Sequence, residues 1–236
     1  MTKPILAALA AAFGIASATS ALHAYDRDKL SGEITFGYES EYVFRGDQFD
    51  KQAFQPGIEM SYEDFYAGVW SSHGVDSDSP SDTTEIDFYA GHGFALNDLV
   101  AFDYGAIYYY YPEATSASQF ELYGGLVFDT VLDPAAHLYY EFEDEIWTFE
   151  VTMGHDIDLT ENTTLGFSAS AGYQNFDDTA SGDPEDALYG SAAIDLSYAF
   201  TDNASLSIGP RVSGKEYDEI SSNSNLWWGA SFTSSF

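Results

Sequence analysis

Acidic residues recur at even spacing along much of this chain, and that spacing is its first feature able to do chemistry. Glu33, Glu39, Glu41, Glu59, Glu85, Asp87, Asp103, Glu121, Glu141, Glu143, Glu150 and Asp195 share one parity of the segments that carry them, opposed on that parity by Arg45 and Arg211. Side chains two positions apart in an extended chain point the same way, so these residues define a carboxylate-lined face. A confined space walled by one sign of charge concentrates counter-ions and repels like ions. The chemistry implied is electrostatic selection of cations. The plainer alternatives are a surface kept wet, or a chain from a salty habitat. Tyr66, Trp70, Tyr89, Tyr109, Tyr111, Tyr123, Tyr139 and Tyr189 have the same parity and could stack against sugars or aromatic solutes, or simply fill the space.

The basic residues are grouped. Between Lys51 and Arg211 there is no lysine or arginine, and the whole chain carries 39 acidic residues against seven basic ones. Arg45 and Lys51 lie at the end of one alternating run, Arg211 and Lys215 at the end of another. In a closed sheet only the last strand would separate these pairs, which puts all four on one wall near a mouth. Glu85, Asp87, Glu121, Glu141 and Glu143 would face them and create a transverse field that orients dipolar solutes. The alternative is that Arg45 and Arg211 pair with Glu41 or Glu39 and stiffen the wall.

Other chemistries find little support. Cysteine is absent, which removes disulfides, thiol catalysis, lipid attachment through cysteine and cysteine-ligated metals. Of His73, His92, His137 and His155, only His137 has inward parity, and no compact serine, histidine and acid arrangement or glycine-rich phosphate loop is legible. The loops "DSDSPSD" and "DDTASGDPED" offer carboxylates but lack the glycine and terminal Glu of a closed calcium loop. No metal, cofactor or catalytic residue is expected. A formal charge of −32 excludes nucleic acid as a partner.

The elements that must position the acidic face are strands. About twelve runs of roughly ten residues alternate with period two, near 31–45, 54–62, 65–74, 84–95, 100–111, 118–130, 135–143, 146–156, 163–173, 187–199, 204–214 and 225–236. Tight turns such as "SYEDF", "ALNDLV", "LTENTT" and "FTDNAS" occupy every second connection, and the others are mostly longer and polar. Turns and loops that take turns in this way, with an even strand number, are the layout of a transmembrane antiparallel β-barrel. Twelve strands fall between barrels filled by side chains and those with an open channel, so the expected pore is narrow or partly filled. The first residues, "MTKPILAALAAAFGIASATSALHA", read as a signal peptide over 1–24 cut after Ala24, with Ala18 or Ala21 as alternatives, leaving 25–236 as one barrel. A soluble exported β-sandwich would show the same alternation with its faces reversed. Against it stands the final stretch "NLWWGASFTSSF", where Trp228, Phe232 and Phe236 continue an apolar face to the last residue, as in strands read by the outer-membrane assembly machinery.

Residues 38–93 carry a resemblance. "YVFRG" (42–46), "QPGIEMSYED", "FYAGVWSS" and "EIDFYAGH" resemble the TorF-type porins, the Gcw_chp group of outer-membrane proteins. The resemblance implies an outer-membrane barrel with a channel role and supplies no catalytic residues. The combined expectation is a porin-like pore for small, cation-preferring solutes in the outer membrane of a Gram-negative bacterium, with lipid, lipopolysaccharide and the assembly machinery as partners. A lipid-modifying enzyme, or a structural or adhesive barrel with a blocked lumen, remain the alternatives.

Overall fold

A computed structural model describes residues 30–75, 84–176, 186–217 and 222–236. The proposed leader over 1–24 and most of the two acidic loops lie outside the described residues. The chain forms β1 (Ser31–Glu39), β2 (Tyr42–Phe44), β3 (Asp47–Asp50), β4 (Ala53–Tyr62), β5 (Phe65–Gly74), β6 (Glu85–Asn97), β7 (Val100–Tyr110), β8 (Gln119–Phe128), β9 (Ala135–Glu141), β10 (Trp147–Thr160), β11 (Thr163–Asn175), β12 (Asp186–Thr201), β13 (Ala204–Tyr217) and β14 (Ser222–Ser235). All but β2 and β3 join one closed barrel in which sequential neighbours pair antiparallel and β1 is held between β14 and β4.

Closure follows from a need to satisfy every backbone group in hydrocarbon, where no water can replace a missing partner. The seam is complete to its end: Gly32 N–H donates to the Phe236 carbonyl and Phe236 N–H to the Gly32 carbonyl, each at 2.9 Å. Strand register sends the alternating pattern to two faces. Outward are Phe88, Leu122, Leu138, Phe149, Ile194, Leu196, Ile208 and Phe232, all exposed. Inward and buried are Glu39, Glu85, Asp103, Glu121, Glu150, Asp195 and Arg211. A soluble sandwich would have these faces exchanged, so the sandwich alternative fails.

Inward glycines let large side chains lie flat on the wall. Tyr66 stands opposite Gly91 and Tyr89 opposite Gly68, on the facing strands β5 and β6. A Cβ at Gly91 would come within 2.2 Å of the Tyr66 ring and 2.8 Å of the Tyr123 hydroxyl. Tyr123 opposite Gly105 and Tyr189 opposite Gly172 repeat the arrangement. Gly91→Val is therefore expected to destabilise the barrel by about 1–3 kcal/mol, the usual cost of overpacking, read as a lower urea midpoint of the refolded protein.

The first alternating run does not continue to Arg45 as one strand. It breaks at Ser40 and Glu41, after which β2 and β3 form a separate two-stranded hairpin. Its turn places Arg45 at φ 47° and Gly46 at φ 84°, the two left-handed positions of a tight hairpin turn. Glycine adopts this freely, whereas Arg45 holds it at a cost of roughly 1–2 kcal/mol. The contacts of the hairpin show where it goes.

Candidate functional site: the acidic lumen and its hairpin

The hairpin folds into the bore and touches several sides of it. Tyr42 packs on Trp70 of β5, with centroids 5.7 Å apart, and donates its hydroxyl to Glu85 of β6 at 2.8 Å. At the tip, the Arg45 guanidinium forks onto both carboxylate oxygens of Glu121 on β8, at 2.7 and 3.0 Å. It lies 4.7 Å from the Tyr139 ring centroid on β9 and 4.8 Å from that of Phe44. Gly46 abuts the other wall, where a Cβ would come within 2.6 Å of Lys215 Cβ and 3.1 Å of Tyr189 Cβ. Asp47 receives Lys215 Nζ and the Tyr217 hydroxyl at 2.7 Å.

This corrects several expectations. Tyr42 and Phe44 share the lipid parity of the first run, yet they stand in the lumen, because the break at Ser40 and Glu41 resets the alternation. Glu41 sits in that bend, half-buried. The four basic residues do not form one wall. Arg45 crosses to Glu121, Lys215 holds the hairpin through Asp47, and Lys51 is exposed. Arg211 pairs along its own wall with Glu39 and Asp195, each at 3.3 Å. A fixed transverse field is thus bridged by direct ion pairs. Arg211 meets Glu39 as the stiffening alternative expects, while Arg45 reaches Glu121 rather than Glu41.

Two of the expected lumenal acids serve the short turn between β9 and β10 instead. Glu141 accepts the Glu143 and Asp144 N–H groups at 2.6 and 2.9 Å. Glu143 is exposed and accepts the Phe120 N–H at 2.7 Å, a bond to its charged form that holds its carboxyl below the usual range.

Five of the remaining acids share a mode of support. Tyrosine hydroxyls donate to Glu59 from Tyr89 at 3.1 Å, to Glu85 from Tyr111 at 2.9 Å, to Asp103 from Tyr66 at 2.9 Å, to Glu121 from Tyr109 at 2.9 Å and to Glu150 from Tyr189 at 2.7 Å. Tyr66 also bonds Tyr123, and His137 Nε2 lies 3.4 Å from Asp103. A phenol donates a hydrogen bond without bringing a counter-charge, so Glu59, Glu85 and Glu150 are satisfied without a base, whereas Glu121 also holds Arg45. The inward tyrosines are therefore parts of the wall's polar network. Asp87, between Trp70 and Tyr109 in register, keeps a buried Oδ1 with no hydrogen-bond partner among the described residues.

Filling is uneven along the axis. Inward residues around the hairpin, among them Glu121, Tyr139 and Lys215, are buried, whereas Glu33, Asp156 and Asp158 toward the tight-turn end are exposed. By the rule that short turns face the periplasm, the outer half is filled, and Glu33, Asp156 and Asp158 open an acidic vestibule at the periplasmic end beside inward Ala101, Val127 and Ala135, which are buried. The sequence reading missed Asp156 and Asp158 as part of this vestibule. They continue the alternation in "HDIDLT", with His155, Ile157 and Leu159 on the other face. The hairpin also had a signal, since "VFRGDQF" is two short alternating runs around a turn with glycine second.

A closed antiparallel barrel with an apolar outside and carboxylates within is the architecture of an outer-membrane β-barrel protein. The chain belongs to the Gcw_chp family, bacterial proteins of unknown function, whose model matches residues 28–207. Among curated proteins, none matches the sequence. Solved structures share the fold at low identity. The KdgM porin in complex with disordered oligogalacturonate is 14% identical, with a TM-score of 0.55 over 86% of this chain and 99% of that one. An outer membrane channel from Pseudomonas putida F1 is 9% identical, with a TM-score of 0.53 over 89% and 98%. LpxR from Salmonella typhimurium is 6% identical, with a TM-score of 0.51 over 86% and 99%. The chain thus shares the fold of outer-membrane porins and channels.

Proposed function

We propose that this barrel is a porin-type channel for passive movement of small cationic and dipolar solutes, narrowed in its outer half by the β2–β3 hairpin. The observation that carries the reading is the support of lumenal carboxylates by tyrosine rather than by base. Arg45, Arg211 and Lys215 are each committed to acidic partners, and Glu33, Glu59, Glu85, Asp87, Asp156 and Asp158 have no ion pair with a base among the described residues. A low-dielectric wall with such a surplus draws cations in and keeps anions out. The porin fold of KdgM supports the channel reading, but its ligand does not transfer. An oligogalacturonate is a polyanion, and this lumen repels one.

The test is the current through refolded protein in a planar bilayer under a KCl gradient. Discrete openings with a cation-selective reversal potential are expected. An anion-selective or zero potential would sink the cation preference, and folded protein that never conducts would sink the channel. Glu33 and Glu59 face each other in register on β1 and β4. Neutralising both in Glu33→Gln/Glu59→Gln is expected to lower the cation-to-anion permeability ratio roughly twofold or more, with conductance retained.

A further inference from the structure

The Arg45 guanidinium occupies a receptor made from the barrel wall. Glu121 presents both oxygens to the fork, and Tyr109 donates to Oε1 of the same carboxylate, which fixes its plane. Tyr139 supplies an aromatic face below the cation. These three residues lie on adjacent wall strands, β7, β8 and β9, and Phe44 of the hairpin adds a second ring, 4.8 Å from the guanidinium. Glu121 is 1% exposed with Arg45 seated on it, so the pair is closed off from solvent. A planar fork bound bidentately to carboxylate and stacked on an aromatic ring is specific to guanidinium, because an ammonium has neither the flat face nor the paired donors.

The occupant is held on a removable support. The hairpin pairs with no barrel strand. Side chains of Tyr42, Arg45 and Asp47 tie it to the wall. When Arg45 leaves, Glu121 joins Glu85 and the unpartnered Asp87 oxygen in a lumen region with no ion-pairing base among the described residues.

We propose that the Glu121, Tyr139 and Tyr109 socket is a binding site for guanidinium-bearing solutes, and that Arg45 is a built-in competitor which occupies it when the bore is narrowed. The inference rests on the channel reading and names the solute class that reading leaves general. A solute of this class entering the bore displaces Arg45 by presenting the same group to the same carboxylate.

Agmatine is the probe, and cadaverine, a diamine of similar length without a guanidinium, is the control. Both are added to Arg45→Ala and to Arg45→Ala/Glu121→Gln channels in KCl. Agmatine is expected to block Arg45→Ala at a concentration at least about tenfold below that needed with the double variant, and at least about tenfold below cadaverine. Equal block of the two variants, or equal block by the two amines, would overturn the socket while leaving the pore in place. If Arg45→Ala does not fold, the same comparison is made in the barrel whose residues 40–52 are replaced by Asn-Gly, which keeps the socket. If folded variants are silent, the channel reading fails, and calorimetric titration of agmatine into detergent-solubilised Arg45→Ala still decides the socket. Heat that disappears with Glu121→Gln supports it, and no heat overturns it.

Discussion

Replacing residues 40–52 by Asn-Gly is expected to raise the unit conductance severalfold while leaving the barrel folded. Glu39 and Ala53 are direct cross-strand partners at the end of the β1–β4 ladder, so a two-residue turn of the type that Asn-Gly forms can join them without strain. The excision removes Tyr42, Phe44 and Arg45 from the bore, and with them the contacts to Glu85, Trp70, Tyr109, Glu121 and Tyr139. It withdraws Arg45 and Lys51 together with Glu41, Asp47 and Asp50, so the charges removed nearly cancel and the current should stay cation-selective as it grows. Conductance and reversal potential are measured on the same channels. An unchanged conductance in demonstrably folded protein would show that the bore is limited elsewhere, and an anion-selective current would contradict the acidic-lumen account.

The largest loss of stability is expected from Arg211→Met. The Arg211 side chain is buried between Glu39 and Asp195 and donates to the Gly209 carbonyl at 2.8 Å, while Trp227 donates to Glu39 at 2.9 Å. Methionine keeps much of the volume but strands two buried carboxylates. Removing one partner of a buried ion pair costs about 3–5 kcal/mol, because the other charge stays desolvated. The urea midpoint of the refolded protein should fall accordingly. Adding Glu39→Gln and Asp195→Asn should recover most of the loss. If the triple variant is no more stable than Arg211→Met, stranded charge is not the cause.

The two expected effects separate roles that the sequence joins. Arg45 and Arg211 look alike in the chain: single inward bases at the ends of alternating runs. In the folded barrel, Arg211 projects from a wall strand and neutralises its neighbours in place. Arg45 sits at a hairpin turn and reaches across the bore. Among the acids the same division appears. Glu85 and Glu121 bind groups of the hairpin, Glu39 and Asp195 hold Arg211, and Glu141 secures a turn.

By itself, the sequence determined the barrel and its polarity. Period-two alternation is local, turn residues act within a few positions, and twelve strands paired with their neighbours leave only the first and last to meet. The Glu33-to-Glu59 pairing does not follow from this, because β1 meets β4 across the inserted β2–β3 hairpin. Tertiary structure alone decided what fills the bore. Whether Tyr42 faces lipid or lumen depends on a break at Ser40 and Glu41 that shifts the alternation by no rule visible in its neighbours. That Glu121 receives Arg45 rather than Arg211 depends on the reach of a hairpin across a closed cylinder. Charge pairs separated by 76 positions in the chain are set by the diameter and curvature of the barrel, and those quantities exist only once the sheet has closed.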